Sequence, residues 1–190
     1  EVDDPARPER DLADGLGGAD GEGLEEITGA AHRDARVGAM SEFAAILFDA
    51  GGVLVLPDPT VLSPLLAYYG GDPSIDRHVR AHYAGMAAKS RAGSGETDWH
   101  EYNVAYVTSV GVSGGDIEEA ADVLSRTRTA HLWRWPIPSS VSGLRALHEA
   151  GIPIGVVSNA SGQIEAVLAR SGVCQVGDGP GAPVLVVVDS

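Results

Sequence analysis

The chain has 190 residues, of which 44% are hydrophobic, and its formal net charge is −14. This length is typical of one domain with room for a subdomain, and the hydrophobic content is sufficient for a core. The negative charge disfavours nucleic acids and anionic membranes as partners, and no apolar run is long enough to span a bilayer.

The first forty residues differ from the rest in composition. Residues 1–39 carry 11 acidic and 4 basic side chains, and hence half of the net charge. Because they contain few large apolar residues, burial cannot offset the entropy that ordering would cost. We therefore expect 1–40 to be a disordered acidic leader and Met40 to be the natural start; an acidic interaction tail is the alternative. A basic start and an apolar stretch are absent, so a secretory signal is not expected.

A buried strand is predicted immediately after this leader. The apolar run 44–48 ends in a single carboxylate, Asp49, and Gly51 and Gly52 follow. The carboxyl end of a strand in an open α/β sheet is where such folds bind ligands. A carboxylate at this point acts as a nucleophile or as a ligand for a hard cation, and the glycines allow a close backbone approach. The alternative is an Asx-type turn in which Asp49 only caps the loop.

The segment between Pro57 and Pro138 is predicted to be mostly helical. Apolar residues recur at helical spacing over residues 61–69, 74–91, 98–110 and 116–132. The helix over 74–91 carries an apolar stripe made of Ile75, Val79, Tyr83 and Met86.

Several polar and aromatic side chains in these helices have more than one interpretation. A basic cluster, interpreted as a solvated helix face rather than a phosphate contact, consists of Arg77, His78, Arg80 and His82. The two histidines are four residues apart and could also share a metal ion. Lys89, the only lysine, is predicted to be a solvated helix residue, and core or hinge packing is expected for Trp99, Trp133 and Trp135.

A second strand with a polar end follows a helix predicted over 139–150. The apolar run 152–157 leads into Ser158 and Asn159, and a helix is predicted over 161–171. This arrangement offers a hydroxyl, an amide and backbone N–H groups to an anion, although an ordinary helix N-cap is the alternative. A last strand is predicted over 184–188. The presence of a single cysteine, Cys174, favours a location in the reducing cytoplasm. We expect Cys174 to be a small buried residue rather than a reactive thiol.

Taken together, the two strand ends resemble the motifs of the haloacid dehalogenase-like hydrolase superfamily. The first motif stands here as Phe-Asp-Ala-Gly-Gly-Val-Leu at 48–54, and the second as Val-Ser-Asn at 157–159. The resemblance covers residues 43–190. It implies a Rossmann-like α/β fold, a parallel sheet with a helical cap inserted after the first strand. The core would comprise 41–57 and 136–190, and the cap 58–135.

This resemblance also implies a function. Asp49 would be the nucleophile of a Mg²⁺-dependent phosphatase that acts on a small phosphorylated metabolite through an aspartyl-phosphate. Asp49 and the carbonyl of Gly51 would bind Mg²⁺, and Ser158, Asn159 and Gly52 would contact the substrate's phosphoryl group.

Two departures from the family pattern leave alternatives open. Gly51 replaces the usual second aspartate, whose general acid–base help is worth roughly 10²–10⁴ in rate. The expected third-motif lysine and fourth-motif acidic pair do not occur before Ser190, so we expect a C-terminally truncated, inactive fragment. The alternative function is a non-catalytic binding protein or gene fragment of this fold. A haloacid dehalogenase is the third hypothesis.

Overall fold

The computed structural model describes residues 45–160 and 162–189, so the predicted acidic leader, 1–40, lies outside the described residues. Seven strands and six α-helices occur in this part of the chain, interrupted by two short 3₁₀ turns. They are β1 Ile46–Asp49, β2 Val55–Pro57, α1 Pro59–Ala67, α2 Ile75–Ala92, α3 His100–Val110, α4 Ile117–Thr127, β3 Trp133–Pro136, α5 Pro138–Glu149, β4 Ile154–Ser158, α6 Ile164–Arg170, β5 Cys174–Val176, β6 Ala182–Val184 and β7 Val186–Asp189.

A parallel three-stranded sheet carries the two predicted motifs. Its strand order is β1-β4-β7, with β4 in the centre, and Asp49 is paired with Val157. Since parallel strands end at the same edge, Asp49 of β1 and Ser158 of β4 both lie at the carboxyl edge of the sheet. The predicted α/β fold, with a parallel sheet and a helical insertion after the first strand, is confirmed.

The two faces of this sheet are covered unequally. Val156 belongs to a buried cluster with Leu144 of α5 and Leu168 of α6. Side chains alternate across a strand, so the neighbouring positions point the other way. On that opposite face Leu47 is 66% exposed and Val157 is 41% exposed. The helices of the described residues therefore bury one face of the sheet only.

A short antiparallel ribbon, β2 with β3, connects the sheet to the helical insertion. Asp58 follows β2 and caps α1 by accepting hydrogen bonds from the backbone N–H and the hydroxyl of Thr60. It also accepts one from Arg134 Nε of β3 at 2.8 Å. Burial alone would raise the pKa of Asp58, but the hydrogen bonds from Thr60 and Arg134 outweigh it and lower that pKa. Asp58 therefore stabilises the point where the insertion begins and ends.

The insertion has its own hydrophobic core, in which α2 and α3 lie unusually close together. Tyr102 and Tyr106 of α3 are each only 1% exposed and form the centre of this core. Gly85 of α2 faces Tyr102 so closely that a Cβ at Gly85 would lie 2.6 Å from the ring. The absence of a side chain at Gly85 is thus what allows the two helices to approach.

We expect the substitution Gly85→Ala to lower the free energy of unfolding by about 1–3 kcal/mol, because the added methyl group overpacks a core that cannot expand. The matched control is Gly143→Ala in the middle of α5, where nothing lies within 4 Å of an added Cβ. There the higher helix propensity of alanine should raise stability by up to about 1 kcal/mol. Urea denaturation measures both changes, and a Gly85→Ala protein as stable as the wild type would contradict the close packing.

The largest departures of element ends from the sequence predictions occur at two places. The helix predicted over 116–132 stops at Thr127, because Arg128 adopts an extended backbone with φ −71° and ψ 101°. The single strand predicted over 184–188 is two strands that pair with different neighbours, β6 with β5 and β7 with β4. The change of partner occurs at Leu185, whose N–H donates to the carbonyl of Ile154 at 2.8 Å.

Candidate active site

A cavity of about 760 Å³ lies between the carboxyl edge of the sheet and the helical insertion. All five residues predicted to form the site line it, namely Asp49, Gly51, Gly52, Ser158 and Asn159. The insertion adds nine further polar or aromatic side chains to the lining: His82, Tyr83, Lys89, Glu96, Thr97, Trp99, Arg128, Thr129 and Trp133. A volume of this size is within the range of sites for small organic molecules.

Asp49 lies at the start of a tight turn that is stabilised by hydrogen bonds within residues 49–55. One carboxylate oxygen, Oδ1, accepts a hydrogen bond from the N–H of Ala50 at 2.7 Å. The carbonyl of Ala50 in turn accepts hydrogen bonds from Leu54 N–H at 2.8 Å and Val55 N–H at 3.0 Å. This contact is to the next residue, whereas an Asx-type turn uses the N–H two residues on, so it does not establish the Asx-type alternative. Asp49 is exposed to the cavity, so its carboxylate is accessible to a ligand.

The two glycines of this turn have different structural roles. Gly52 has a φ of +77°, a region that residues with a Cβ rarely adopt, and an added Cβ would lie 3.3 Å from His82 Nε2. A Cβ at Gly51 would make ordinary contact with Trp133 at 3.6 Å, so the space beside Gly51 does not itself require glycine. The chain consequently offers no acidic side chain at the position where the family resemblance would place a general acid.

Ser158 and Asn159 reach the cavity from the end of β4. Ser158 is buried, with 7% of its surface exposed. Asn159 is exposed and donates a hydrogen bond through Nδ2 to Oε1 of Glu96, which belongs to the loop between α2 and α3. The side chain predicted to hold a phosphoryl oxygen therefore contacts a carboxylate of the insertion.

Two cations flank one aromatic ring on the opposite wall. Lys89 Nζ and Arg128 Cζ each lie 4.5 Å from the centroid of the Trp99 ring, which is within the range of a cation–π interaction. Lys89 is partly buried and donates hydrogen bonds to the carbonyls of Gly95, Glu96 and Asp98. The prediction of a solvated helix residue is therefore wrong for Lys89, because the loop after α2 folds back over its ammonium group.

The basic cluster predicted on α2 divides into two faces. Arg77 and Arg80 are exposed, as expected of a solvated face, whereas His78 and His82 are buried. His78 Nδ1 lies 3.0 Å from the hydroxyl of Tyr106, and His82 Nδ1 lies 2.9 Å from that of Tyr102. The Nε2 atoms of both rings have no hydrogen-bond partner.

Burial lowers the pKa of both histidines, and the pKa of His82 falls to about 4. They are therefore neutral near pH 7. Each ring pairs with a tyrosine rather than with its neighbouring histidine. No group of three or more His, Cys, Asp or Glu side chains that could hold a metal ion occurs in ranges 45–160 and 162–189.

Oxygen donors for a hard cation are nonetheless present in the turn after β1. The Asp49 carboxylate and the Gly51 backbone both line the cavity. Mg²⁺ commonly binds to one or two carboxylates, keeps several waters and takes its remaining ligands from substrate phosphates. A donor set of one carboxylate and one carbonyl at an open cavity fits that pattern.

Two other features of the described residues bear on the sequence analysis. Cys174 is fully buried, and burial raises the pKa of its thiol to about 11, which confirms a structural rather than a reactive cysteine. None of the described helices combines the length and the hydropathy that crossing a membrane requires.

Among the comparisons with known proteins, the search of solved structures gives a match. No family model and no curated protein matches the chain. Among solved structures, the crystal structure of the L-2-haloacid dehalogenase RSc1362 matches with a TM-score of 0.33 and 19% sequence identity. The match covers 76% of this chain and 63% of that enzyme, so the chain spans less than two thirds of the enzyme's length.

Proposed function

We propose that the chain is a phosphohydrolase of the haloacid dehalogenase type, in which Asp49 attacks a small phosphorylated substrate. The observation that carries this proposal is the convergence of the Asp49 turn and the Ser158–Asn159 strand end on one cavity. Each segment alone has a structural explanation. Two adjacent parallel strands that both present polar groups to the same cavity favour a ligand site.

In the proposed reaction, an oxygen of the Asp49 carboxylate forms a bond to phosphorus while the bond from phosphorus to the leaving oxygen breaks. The Ser158 hydroxyl and the Asn159 amide hold the transferring phosphoryl oxygens in place. Water then hydrolyses the aspartyl-phosphate to release inorganic phosphate and regenerate Asp49. The walls that the insertion contributes, among them Trp99 and Trp133, exclude bulk water from these steps.

Mg²⁺ is the cofactor that this proposal implies, and Asp49 and the Gly51 carbonyl are the groups that would hold it. Bound there, it would neutralise negative charge on the phosphoryl group. Because Gly51 provides no proton donor, substrates whose leaving oxygen needs no protonation should react fastest. Aryl phosphates meet this requirement.

A non-catalytic binding protein of the same fold is the second candidate function. The hydrogen bond between Asn159 and Glu96 favours it, since a carboxylate at this amide opposes the approach of a phosphoryl group. Gly51 favours it as well. In this alternative the cavity binds a small molecule without transforming it.

Metal dependence separates these two candidates. We expect hydrolysis of 4-nitrophenyl phosphate in the presence of Mg²⁺ and loss of this activity with a chelator, together with a rise in the melting temperature on addition of Mg²⁺. Turnover that persists in excess chelator would contradict the proposed metal site. No turnover and no thermal shift with Mg²⁺ would leave the binding protein, and release of halide from 2-haloacids without Mg²⁺ would identify a dehalogenase.

A further inference from the structure

Arg128 is a cation without a counter-ion on the cavity wall contributed by the insertion. The Cζ atom of its guanidinium lies 4.5 Å from the ring centroid of Trp99 and 5.4 Å from that of Tyr102. It donates one hydrogen bond, through Nη2 to Oδ1 of Asn103, which is a neutral acceptor. Across residues 45–160 and 162–189, ion pairs join Arg80 to Asp76 and Arg134 to Asp58, and none involves Arg128.

A partly buried arginine needs an anionic partner to compensate for its lost hydration. A guanidinium has five N–H donors arranged as a planar fork, and the bond to Asn103 uses one of them. The remaining donors match the geometry of a carboxylate or phosphate, which an arginine fork binds in bidentate fashion.

The other charged side chains that the insertion contributes to the cavity lining are already engaged. Lys89 donates to three backbone carbonyls, which accounts for all three protons of an ammonium group. The Glu96 carboxylate accepts a hydrogen bond from Asn159. Lys89 therefore holds the loop that carries Glu96 and adds positive charge nearby, and Arg128 is left as the donor for a ligand.

We propose that Arg128 binds a second anionic group on the substrate, at the end opposite the phosphoryl group that Asp49 attacks. This inference rests on the proposed function and narrows its substrate class. The substrate is an organic phosphate with a distal carboxylate or a second phosphate. The cavity volume of about 760 Å³ accommodates both groups and a short carbon chain between them.

Binding of phosphonates, which cannot be hydrolysed, tests the inference without depending on turnover. The probes are propylphosphonate, 3-phosphonopropanoate and propane-1,3-diphosphonate, titrated calorimetrically into the full chain with Mg²⁺. The two probes with a second anion should bind about tenfold more tightly than propylphosphonate, as a charge-assisted bidentate contact implies. Whichever of them binds more tightly identifies the distal group as carboxylate or phosphate.

The variants compare Arg128 with a matched exposed arginine on α4. Propylphosphonate and the two probes with a second anion should bind Arg128→Met with about equal affinity, a ratio of about 1, since the distal contact is lost. Arg126→Met should keep the wild-type ratio, because Arg126 is exposed and does not line the cavity. A ratio of 1 in the wild type, or a wild-type ratio in Arg128→Met, would overturn the inference.

If Arg128→Met fails to fold, the variant Arg128→Lys tests the inference instead. Lysine keeps the charge but not the fork, so the ratio should fall between those of the wild type and 1, and an unchanged ratio would overturn the inference. Failure of this inference can be distinguished from failure of the proposed function. Turnover that does not need Asp49 would remove the phosphohydrolase while leaving an Arg128-dependent binding preference intact.

Discussion

Replacing Asp49 with asparagine is expected to lower kcat/KM for 4-nitrophenyl phosphate by at least about a thousandfold, the scale seen when an enzyme loses its nucleophile. An amide is a poor nucleophile toward phosphorus, and it also removes the one carboxylate that the turn after β1 offers to Mg²⁺. Asparagine can still accept the hydrogen bond from Ala50, so the turn should be preserved. Steady-state kinetics with purified protein measures the change.

The control for this substitution is Asp122→Asn on α4. Asp122 is exposed and does not line the cavity, and the same change of charge there should leave kcat/KM within about twofold, as expected of a surface substitution. Equal melting temperatures for the wild type and Asp49→Asn would show that the loss is chemical. Undiminished turnover in Asp49→Asn would remove Asp49 from the reaction and with it the phosphohydrolase proposal.

Acidification is expected to destabilise the protein through His82. The pKa of His82 is about 4 in the folded state and about 6.5 in an unfolded chain, so the unfolded state takes up a proton first as the pH falls. The contribution of the neutral His82 ring to the free energy of unfolding is complete above about pH 6.5 and is lost progressively toward pH 4. The loss amounts to about 2–3 kcal/mol at pH 4.5. Burial shifts the pKa of His78 in the same direction and adds to the effect.

The substitution His82→Gln isolates this contribution from that of the many carboxylates. Glutamine does not titrate, so the difference in unfolding free energy between the wild type and His82→Gln should shrink by about 2–3 kcal/mol between pH 7.5 and pH 4.5. His148→Gln on α5 is the matched control, because that side chain is exposed in the folded chain. If the difference in unfolding free energy between the wild type and His82→Gln did not change with pH, the burial of a neutral imidazole would be contradicted.

The two motif strands were predictable because their signals are local. An apolar run that ends in a carboxylate and two glycines specifies a strand, a turn and a polar group at the end, whatever surrounds it. The same holds for the run that ends in Ser158 and Asn159. Parallel pairing of these strands then places both ends at one edge, so the five predicted site residues follow from local pattern and the geometry of a parallel sheet. Their chemical roles remain predictions.

The helix α2 shows where local pattern was insufficient. Its apolar stripe includes Ile75, Tyr83 and Met86, which are 43%, 47% and 38% exposed. The buried face carries His78, Ala81, His82 and Gly85 instead. Hydropathy alone favours the apolar stripe as the packed face. The tyrosines of α3 reverse this choice, because each provides a hydroxyl partner for an imidazole, and the Tyr102 ring leaves no room for a side chain at Gly85.

The amino-acid sequence by itself determined the strand ends, the nucleophile candidate and the helical insertion, since each depends on residues that are neighbours along the chain. Only the tertiary structure decided which side chains of the insertion line the cavity together with Asp49. His82, Glu96 and Arg128 come from three separate segments of the insertion and have no shared pattern in the sequence. Their convergence results from helix packing, in which burial, hydrogen bonding and charge are balanced between residues far apart in the chain.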